Sequence, residues 1–427
     1  MTDTPAPDDA ACADGARCDG VDLEVLAQRV GTPLHVYSAS AIRQRIATLQ
    51  AALQGLDTLV CYAVKANANS AILQLMADAG LGADIVSAGE LRRSLLAGIP
   101  AERIVFSGVA KSADEIGDAL AAGICRFNVE SRDELNALQT LAAERNVMAR
   151  ASARVNPDVD AGTHAKISTG KSENKFGVGI DEAREWFADS PRLTHVRLDG
   201  LHVHIGSQIL SLDPIHLALQ RVAGFWRELA SAGHRIDVID VGGGLGVSYR
   251  DGRDRPVSMK DYAETIREAL RGFGGRILLE PGRWLVAEAG MLLTRVLRIK
   301  QGRQRRFLVV DAGMTDLLRP SLYDAWHEIV PISCRQAPPQ IYDIVGPVCE
   351  TSDTFAVDRP LPPCEPGDLL MIKTTGAYGA AMASNYNSRP LAAEVLLDGG
   401  RYAIVRRRQT FEEMIAGEQP ALNWDRT

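Results

Sequence analysis

The sequence predicts an α/β fold in which a TIM-like (β/α)8 barrel is followed by an all-β C-terminal domain. Eight short apolar runs alternate with helix-like stretches over about 225 residues, a pattern typical of βα units around a parallel sheet. Eight units of this length favour a closed barrel over an open sheet. Beyond about Gly290 the strand-like runs are separated by Gly, Pro and Asp turns, which indicates β structure without long helices.

The chain begins with an acidic stretch of small residues, 1–20, that we predict to be a disordered tail. A short helix over 22–30 and a strand over Leu34–Tyr37 come next. We expect this strand to join the later β domain, because it precedes the first helix of the barrel. Ser38 or Ser40 is suited to cap that helix, since a hydroxyl oxygen accepts from the free N–H groups of a first turn.

The remaining elements follow the alternation of apolar runs. The predicted domains are the tail 1–20, the barrel 38–288, and a β-sandwich or β-barrel domain made of 21–37 with 289–427. The predicted barrel strands are Leu59–Val64, Ala83–Val86, Arg103–Phe106, Cys125–Val129, Ala151–Val155, Leu201–Ile205, Val238–Val241 and Ile277–Leu279. The predicted helices between them are Ala71–Ala79, Gly89–Ala97, Ala113–Ala121, Ser131–Glu144, Asp181–Phe187, Ile215–Ala232 and Asp261–Arg271. The predicted strands of the β domain are Leu292–Lys300, Arg306–Val310, Ile341–Val345, Leu369–Thr374, Ala393–Leu397 and Tyr402–Arg407.

Composition excludes several classes of protein. The net charge is −7 and no Lys/Arg-rich run occurs, so we expect neither a nucleic acid nor a membrane as partner. The seven cysteines are scattered without a CxxC pair, which indicates neither a disulfide framework nor a zinc site. No apolar run reaches the ~18 residues of a membrane span, and the N-terminal stretch lacks the features of a signal peptide. We therefore expect a cytoplasmic protein.

Lys65 closes the first predicted barrel strand, Leu59–Val64. A lysine in this place either extends into solvent or meets a partner in a cavity. If the side chain is desolvated, its pKa falls and the neutral amine becomes a nucleophile that condenses with aldehydes to a Schiff base. A strand-end lysine in solvent is the alternative that this stretch alone leaves open.

Polar residues recur just after the predicted strands. In a (β/α)8 barrel this position is the C-terminal face, where active sites are built. Some of these side chains have a purely structural alternative as helix caps, which we favour for Ser131 and Asp181. The residues after the strands are Lys65, Asn67, Ser87, Glu90, Ser107, Asn128, Glu130, Asn156, Asp158, His204, Ser207, Gly242–Gly246, Glu280 and Arg283.

Two loops on this face are suited to an anion. Gly242–Gly246 follows the seventh strand, and glycines let backbone N–H groups approach a phosphate closely. Such sites recur after strands 7 and 8 of these barrels, although a glycine loop is equally consistent with a tight turn. Glu280-Pro281-Gly282-Arg283 follows the eighth strand, where Arg283 suits a phosphate or carboxylate. A local ion pair between Glu280 and Arg283 on the surface is the alternative.

His202 and His204 lie two residues apart in the sixth strand, so we expect them to face the same side. A metal site is conceivable, but no third ligand is placed by spacing, and a neutral imidazole stacked on a planar ring fits equally. A lysine, a glycine loop, a stacking histidine and a buried Glu280 together describe a pyridoxal 5′-phosphate site. The glutamate would keep the pyridine nitrogen protonated and so make the ring an electron sink.

A family resemblance covers nearly the whole chain. The motifs that carry it are Tyr62-Ala63-Val64-Lys65-Ala66-Asn67, His202-Val203-His204-Ile205-Gly206-Ser207-Gln208, Gly242–Gly246, Glu280-Pro281-Gly282-Arg283, Asn174-Lys175-Phe176-Gly177, Arg319-Pro320-Ser321-Leu322-Tyr323, Gly346-Pro347-Val348-Cys349-Glu350-Thr351 and Gly376-Ala377-Tyr378-Gly379. From about Thr32 to Met414 the chain resembles the diaminopimelate decarboxylases, which have the alanine racemase-like fold type of pyridoxal phosphate enzymes. Thr315 and Ala88 depart from residues common in relatives, but neither replaces a catalytic group.

The resemblance implies the cofactor contacts. It makes Lys65 the Schiff-base lysine and stacks His204 on the pyridine face. It sets Glu280 at the ring nitrogen, with Arg154 close to that contact. The groups implied around the phosphate are Ser207, Gly243, Gly244, Gly282, Arg283 and Tyr378.

The resemblance also implies the substrate and the assembly. Arg283, Arg319, Tyr323 and Tyr378 would contact the substrate, Glu350 would bind its distal ammonium, and Cys349 would return a proton to Cα. The implied enzyme is a homodimer with shared active sites that converts meso-2,6-diaminopimelate to L-lysine and carbon dioxide. The alternatives are a decarboxylase of another basic amino acid, such as ornithine, D-lysine or arginine, and a non-catalytic binding homologue. Gly162–Lys175 is the predicted lid.

Overall fold

The computed structural model describes residues 17–161, 175–333 and 335–419. They divide into two compact units: one within Met1–Ser38, Gly290–Thr375 and Met382–Thr427, and one formed by Ala39–Ala289 and Gly376–Ala381. Below, the first is called the β-rich unit and the second the barrel unit. Of the predicted lid, all but Lys175 lies outside the described residues, as do Cys12, Cys334 and Asn174.

The elements are numbered along the chain. The strands are β1 (Arg17–Cys18), β2 (Val21–Asp22), β3 (Leu34–Ser38), β4 (Thr58–Ala63), β5 (Gly82–Ile85), β6 (Ile104–Phe106), β7 (Arg126–Val129), β8 (Ala149–Arg154), β9 (Val196–His202), β10 (Val238–Asp240), β11 (Arg276–Leu279), β12 (Gly290–Gln301), β13 (Arg306–Val310), β14 (Ile329–Pro331), β15 (Gln340–Val345), β16 (Thr354–Leu361), β17 (Leu369–Ile372), β18 (Ala393–Asp398) and β19 (Arg401–Arg406). The helices are α1 (Leu23–Val30), α2 (Ala39–Ala52), α3 (Ser70–Asp78), α4 (Ala88–Leu96), α5 (Ala113–Ala122), α6 (Arg132–Glu144), α7 (Ile180–Asp189), α8 (Asp213–Ser231), α9 (Met259–Ala269), α10 (Arg283–Val286), α11 (Arg319–Tyr323) and α12 (Phe411–Ile415).

The barrel unit contains a closed parallel barrel of β4 to β11, in which each strand pairs with the next and β11 pairs with β4. A helix follows each strand, so the predicted (β/α)8 barrel is confirmed. Parallel strands covered by helices read as apolar runs, and this is why the alternation was visible in the sequence. Leu59, Cys61, Val105, Val238 and Leu278 form one buried cluster of this unit.

One barrel strand was misplaced by the sequence analysis. β9 begins at Val196 and ends at His202, whereas the apolar run predicted Leu201–Ile205. The charged residues Arg197 and Asp199 hid the first half of this strand, although Asp199 is buried. His204 consequently lies beyond the strand end, and the expectation that both histidines share one strand is wrong.

The helix caps were predicted in part. Ser131 caps α6 by accepting a hydrogen bond from the backbone N–H of Glu134 at 3.2 Å. Asp181 is not a cap, because Gly179 is the residue that precedes α7 and Asp181 lies in the first helical turn. An acidic side chain in that turn is favourable through the helix dipole. A carboxylate near a helix start therefore does not by itself identify the cap.

The β-rich unit is built on one mixed sheet in the order β16-β15-β13-β12-β3-β18-β19, with β17 paired to β12 and β14. β3 pairs antiparallel with β12 and parallel with β18, as expected for a strand that joins the later domain. The sequence analysis missed β14 and β16. β16 contains Asp358 and Pro360, which weaken a strand prediction.

The N-terminal stretch is partly structured. Arg17–Cys18 pairs antiparallel with Val21–Asp22, so the last residues of the predicted tail form a short hairpin, and 1–16 lie outside the described residues. Within the described ranges, no helix is long and apolar enough to cross a membrane.

Candidate active site

Lys65 lies in a short 3-10 turn, Val64–Ala66, directly after β4. Its Nζ donates to Oδ2 of Asp84 at 2.7 Å, and its side chain keeps 38% of its surface exposed. Burial opposes the charge, but the carboxylates of Asp84 and Glu280 outweigh it, so the pKa of Lys65 is raised. The expected lowering of this pKa is therefore wrong. Asp84 lies inside an apolar strand, and the sequence analysis did not identify it as the partner of Lys65.

Glu280 follows β11 and is buried. Its Oε1 accepts from Nδ2 of Asn128 at 3.0 Å and from the hydroxyl of Ser107 at 3.3 Å. Its Oε2 lies 3.1 Å from Nε2 of His202. Burial favours the protonated acid, but His202 and Lys65 outweigh burial and lower the pKa of Glu280. The structure thus holds Glu280 as a carboxylate surrounded by donors.

The pKa of Asp240, the last residue of β10, is shifted in the opposite direction to that of Glu280. It is fully buried, and its Oδ1 accepts from the N–H of Gly242 at 2.9 Å. Burial and the neighbouring charge of Glu280 raise the pKa of Asp240 well above its usual value. One ligand atom each from His202, Asp240 and Glu280 lies within 4.8 Å of the others. Two carboxyl groups this close share their charge unequally, so one keeps its proton.

His204 follows β9 and is held by the glycine loop. Its Nδ1 accepts from the backbone N–H of Gly243 at 3.2 Å, which leaves the ring proton on Nε2. Burial, with the positive charges of Arg154 and Lys65, lowers the pKa of His204 to about 3. The imidazole is therefore neutral at pH 7.

The glycine loop after β10 has no room for side chains. A Cβ atom on Gly242 would lie 2.3 Å from the carbonyl oxygen of Val203, and one on Gly243 would lie 2.1 Å from that of Glu280. Gly244 has φ +99°, a conformation that favours glycine. The backbone of this loop therefore forms one wall of the site itself, as an anion-binding loop does.

Arg283 begins α10 beside this loop. Its Nη2 donates to the hydroxyl of Ser207 at 3.0 Å and its Nη1 to the hydroxyl of Tyr249 at 2.6 Å. The guanidinium carbon lies 4.8 Å from the ring centre of Tyr378, whose N–H donates to the carbonyl oxygen of Ala66 at 2.8 Å. Two hydroxyl groups thus help to fix the guanidinium of Arg283. Tyr249 was missed by the sequence analysis.

Gly282, which precedes Arg283, also lies against the start of the barrel. A Cβ atom on it would lie 3.0 Å from Cβ of Ala63 and 3.1 Å from Cβ of Ala66. The chain therefore passes close to the turn that carries Lys65.

Arg154 ends β8 and makes an ion pair. Its Nη1 lies 2.7 Å from Oε1 of Glu130, and its guanidinium carbon lies 4.7 Å from the ring centre of Phe176. Glu130 also accepts from the backbone N–H groups of Gly108 and Gly177, both at 3.1 Å. Glu130 therefore holds Arg154 and ties neighbouring loops of the barrel face together.

Four further predicted residues belong to the β-rich unit. Arg319 and Tyr323 are the first and last residues of α11. Cys349 is an exposed free thiol whose N–H donates to Oδ1 of Asn387 at 2.8 Å. Oε2 of Glu350 accepts from the hydroxyl of Ser352 at 2.8 Å.

The barrel residues fit pyridoxal phosphate. Lys65 offers an amine for the aldehyde, and His204 offers a neutral ring. Glu280 offers an ionised acceptor for a protonated ring nitrogen, which fits the donor-rich setting that keeps it charged. The glycine loop, Ser207 and Arg283 offer N–H and O–H donors for a phosphate. Among the described residues, buried Nδ1 of His202 and Oδ1 of Asn128 have no hydrogen-bond partner, which is consistent with polar space for a ligand in this region.

Known proteins are similar to this chain in sequence and fold. Residues 39–287 match the family of the pyridoxal-dependent decarboxylase, pyridoxal binding domain. Diaminopimelate decarboxylase of Pseudomonas aeruginosa is 50% identical over 94% of this chain and 96% of its own length. The Zymomonas mobilis enzyme of that name is 46% identical over 95% of this chain and 97% of its own. The crystal structure of Helicobacter pylori diaminopimelate decarboxylase complexed with L-lysine superposes with TM-score 0.89 at 46% identity, covering 92% of this chain and 98% of that one.

These matches span both units of the chain. The cofactor that the family binds is pyridoxal phosphate, and the barrel residues described above fit it. The chain belongs to the diaminopimelate decarboxylase family of pyridoxal-dependent decarboxylases.

Proposed function

We propose that this chain removes one carboxylate of meso-2,6-diaminopimelate as carbon dioxide and releases L-lysine, the last step of lysine biosynthesis. One observation carries the proposal. Lys65, His204, Glu280 and Arg283 meet at one end of the barrel in a chain that is 50% identical to a diaminopimelate decarboxylase over 94% of its length.

Bound pyridoxal phosphate supplies an electron-poor ring that takes up the electron pair left when carbon dioxide departs. Lys65 would hold the cofactor through its aldehyde. Glu280, as a carboxylate, would keep a proton on the ring nitrogen. His204 would stack on the ring as a neutral imidazole, with Arg154 near the Glu280 contact. The groups that would bind the phosphate are Ser207, Gly243, Gly244, Gly282, Arg283 and Tyr378.

The distal end of the substrate carries an ammonium and a carboxylate. Arg283, Arg319 and Tyr323 bind that carboxylate, with Tyr378 beside them, and Glu350 binds the ammonium. A substrate that ends in a lone amine, such as ornithine, has no carboxylate for Arg319. This difference favours diaminopimelate over the other basic amino acids.

Cys349 donates the proton that returns to Cα, and Lys65 is the reserve donor. Removing a general acid typically costs 10²–10⁴-fold in rate. We expect Cys349→Ala to bind cofactor with the wild-type absorption spectrum and to turn over at least about a hundredfold more slowly. Turnover at the wild-type rate would remove Cys349 from the mechanism.

The active enzyme is a homodimer in which Cys349 and Glu350 serve the partner's site. Mixing the Lys65→Ala and Cys349→Ala variants tests this directly, because each hybrid dimer regains one intact site. Random exchange should restore about a quarter of wild-type activity, since half of the dimers are hybrids. Absence of recovery, after exchange of subunits is verified by mass, would show that each site is built from one chain.

The decisive assay measures lysine released from meso-diaminopimelate by the holoenzyme, beside parallel assays with ornithine, D-lysine and arginine. Lysine from diaminopimelate alone supports the proposal. Carbon dioxide from another substrate would favour a decarboxylase of another basic amino acid. Borohydride reduction separates both from a non-catalytic homologue that does not bind cofactor, because it would trap the cofactor on Lys65.

We place the enzyme in the cytoplasm. The described cysteines, Cys18, Cys61, Cys125, Cys349 and Cys364, are free thiols, which suits a reducing compartment. Cell fractionation with an antibody against the chain tests this assignment.

A further inference from the structure

The side-chain amide of Gln208 makes two hydrogen bonds with Val247, the residue that follows the glycine loop. Its Nε2 donates to the carbonyl oxygen of Val247 at 2.7 Å, and its Oε1 accepts from the backbone N–H of the same residue at 3.2 Å. Val247 is buried, and both polar groups of a buried backbone unit need partners. One amide supplies both partners. Below, this pair of bonds is called the Gln208 clamp.

The clamp adds to a row of contacts between the glycine loop and the segment 206–209. The N–H of Ile209 donates to the carbonyl oxygen of Gly244, and the N–H of Gly246 donates to the carbonyl oxygen of Ile209, both at 2.9 Å. A Cβ atom on Gly244 would lie 2.3 Å from the carbonyl oxygen of Gly206. The two backbones are therefore in direct contact, and a shift of one segment would move the other.

The backbone of Gln208 is in an unusual conformation. Its φ is +63°, in the left-handed region that a residue with a Cβ atom seldom adopts. Such a conformation costs free energy and persists only where the surroundings hold it. The two amide bonds to Val247 provide that constraint. The residue before it is Ser207, whose hydroxyl accepts from Nη2 of Arg283 at 3.0 Å, so the same turn also sets where this hydroxyl lies.

We propose that Gln208 is a positioning residue for the cofactor phosphate: its clamp keeps Ser207 and the glycine loop at the separation that phosphate binding needs. The inference rests on the proposed function, in which Ser207, Gly243 and Gly244 bind the phosphate. Gln208 itself does not touch the cofactor in this scheme. Donors that are already in place need no ordering when the ligand arrives, which strengthens binding. The gain therefore belongs to the phosphate and not to the ring or the aldehyde.

Two forms of the cofactor separate these contributions. Pyridoxal has the same ring and aldehyde as pyridoxal phosphate but carries a hydroxyl in place of the phosphate ester. The full-length chain, freed of cofactor with hydroxylamine, is titrated with each compound, and the cofactor absorption gives the two Kd values. Pyridoxal cyclises in part to a hemiacetal, but this happens in solution and affects every variant alike. The comparison between variants therefore reports the phosphate contacts.

Two substitutions remove the clamp. Gln208→Met keeps the length of the side chain and removes both amide bonds. We expect its Kd for pyridoxal phosphate to rise about tenfold, equal to about 1.4 kcal/mol, and its Kd for pyridoxal to stay within about twofold of wild type. Asparagine adopts a left-handed φ more readily than most residues, but its amide is one methylene shorter. Gln208→Asn should therefore fold and show the same selective loss, even if the methionine variant does not fold.

Gln139 offers a matched control at the other end of the barrel, just before β9 begins. Its Nε2 donates to the hydroxyl of Thr194 at 2.9 Å, and its Oε1 accepts from the backbone N–H of His195 at 2.9 Å. Gln139→Met thus removes a two-bond amide contact of the same kind, far along the strand from the glycine loop. Both of its Kd values should stay within about twofold of wild type.

A rise in Kd for pyridoxal phosphate alone, confined to the Gln208 variants, supports the inference. Equal rises for both compounds, an equal rise in Gln139→Met, or unchanged Kd values in the Gln208 variants would make Gln208 a structural residue only and overturn it. If wild type bound both compounds equally well, the phosphate role of the loop would fail, and the inference with it. The proposed function fails separately, if the wild-type holoenzyme forms no lysine from diaminopimelate.

Discussion

The two ends of the barrel use the same kinds of charged residue in opposite ways. At the N-terminal ends of the strands, Asp199 is enclosed by three guanidinium groups: Arg126 at 3.1 Å, Arg150 at 2.7 Å and Arg197 at 2.9 Å. Each of these cations has a carboxylate in reach, so the charges compensate one another within the chain. This end has the organisation of a stabilising ion network.

At the C-terminal ends the acids outnumber the nearby cations. Asp84 and Glu280 act on one amine, Lys65. Burial and the charge of Glu280 raise the pKa of Asp240, whereas His202 and Lys65 outweigh burial and lower the pKa of Glu280. Charge here is divided so that neighbouring acids have different protonation states. The comparison teaches that a buried cluster of charged residues indicates function when its acids differ in protonation state. It indicates a structural role when each charge is paired with an opposite charge.

The largest expected contrast is in activity. Replacing Lys65 by Ala removes the only amine paired with Asp84 in the described residues, so kcat should fall at least about a thousandfold and borohydride should trap no cofactor on the chain. Arg150→Gln at the other end should change kcat less than about twofold, because it acts on folding alone. Steady-state assays of both variants measure this difference in kcat. A Lys65→Ala enzyme with more than a tenth of wild-type activity would contradict the assignment.

The next contrast is in stability. Asp199→Asn leaves Arg126 buried without its carboxylate and should lower the free energy of unfolding by about 3 kcal/mol. Asp240→Asn replaces an acid that already keeps its proton, and should cost less than about 1 kcal/mol. Urea unfolding of both variants beside wild type at pH 7 measures the difference. Equal losses would mean that Asp240 is ionised and that the two ends are alike.

The smallest contrast concerns pH. Burial raises the pKa of Glu90, at the C-terminal end, to about 7. A raised carboxyl pKa stabilises the folded state below the unfolded value, near 4.5, and this contribution is lost as pH rises through 7. Because Glu90 is partly exposed, we discount the effect to about 1 kcal/mol, which Glu90→Gln should recover at pH 8 but not at pH 5. Urea midpoints at both pH values measure it.

At the other end of the barrel, the matched substitution should change stability in the opposite direction. Asp237 pairs with Arg150, Arg197 and Arg235, so Asp237→Asn should lower stability at pH 8. If Glu90→Gln and Asp237→Asn both stabilised the protein at pH 8, the two ends of the barrel would not differ in this respect.

Periodicity was enough to predict the barrel. Family motifs singled out Lys65, His204 and Glu280, which follow barrel strands in the structure, and their roles stay a prediction. What the sequence could not show is which side chains meet across strands. Asp84 and Asp240 lie inside apolar strands, where an acid is easily taken for a strand-edge residue, yet they set the protonation states of the site. An acidic residue within an otherwise apolar barrel strand is the signal that would have identified both.

The predicted bounds of β9 were wrong for a related reason. Its charges pair with arginines of neighbouring strands, and pairing across strands is invisible to a one-dimensional hydrophobic pattern.

The ion pair between Lys65 and Asp84 also bears on the newly made chain. An ammonium group has no lone pair, so a lysine kept protonated by a buried carboxylate does not react with the sugars, aldehydes and acylating metabolites around it. The contact that disfavours a nucleophilic amine thus also suppresses side reactions of Lys65. Only a ligand that draws the proton away from Lys65 can use the amine, and its chemistry is reserved for that ligand.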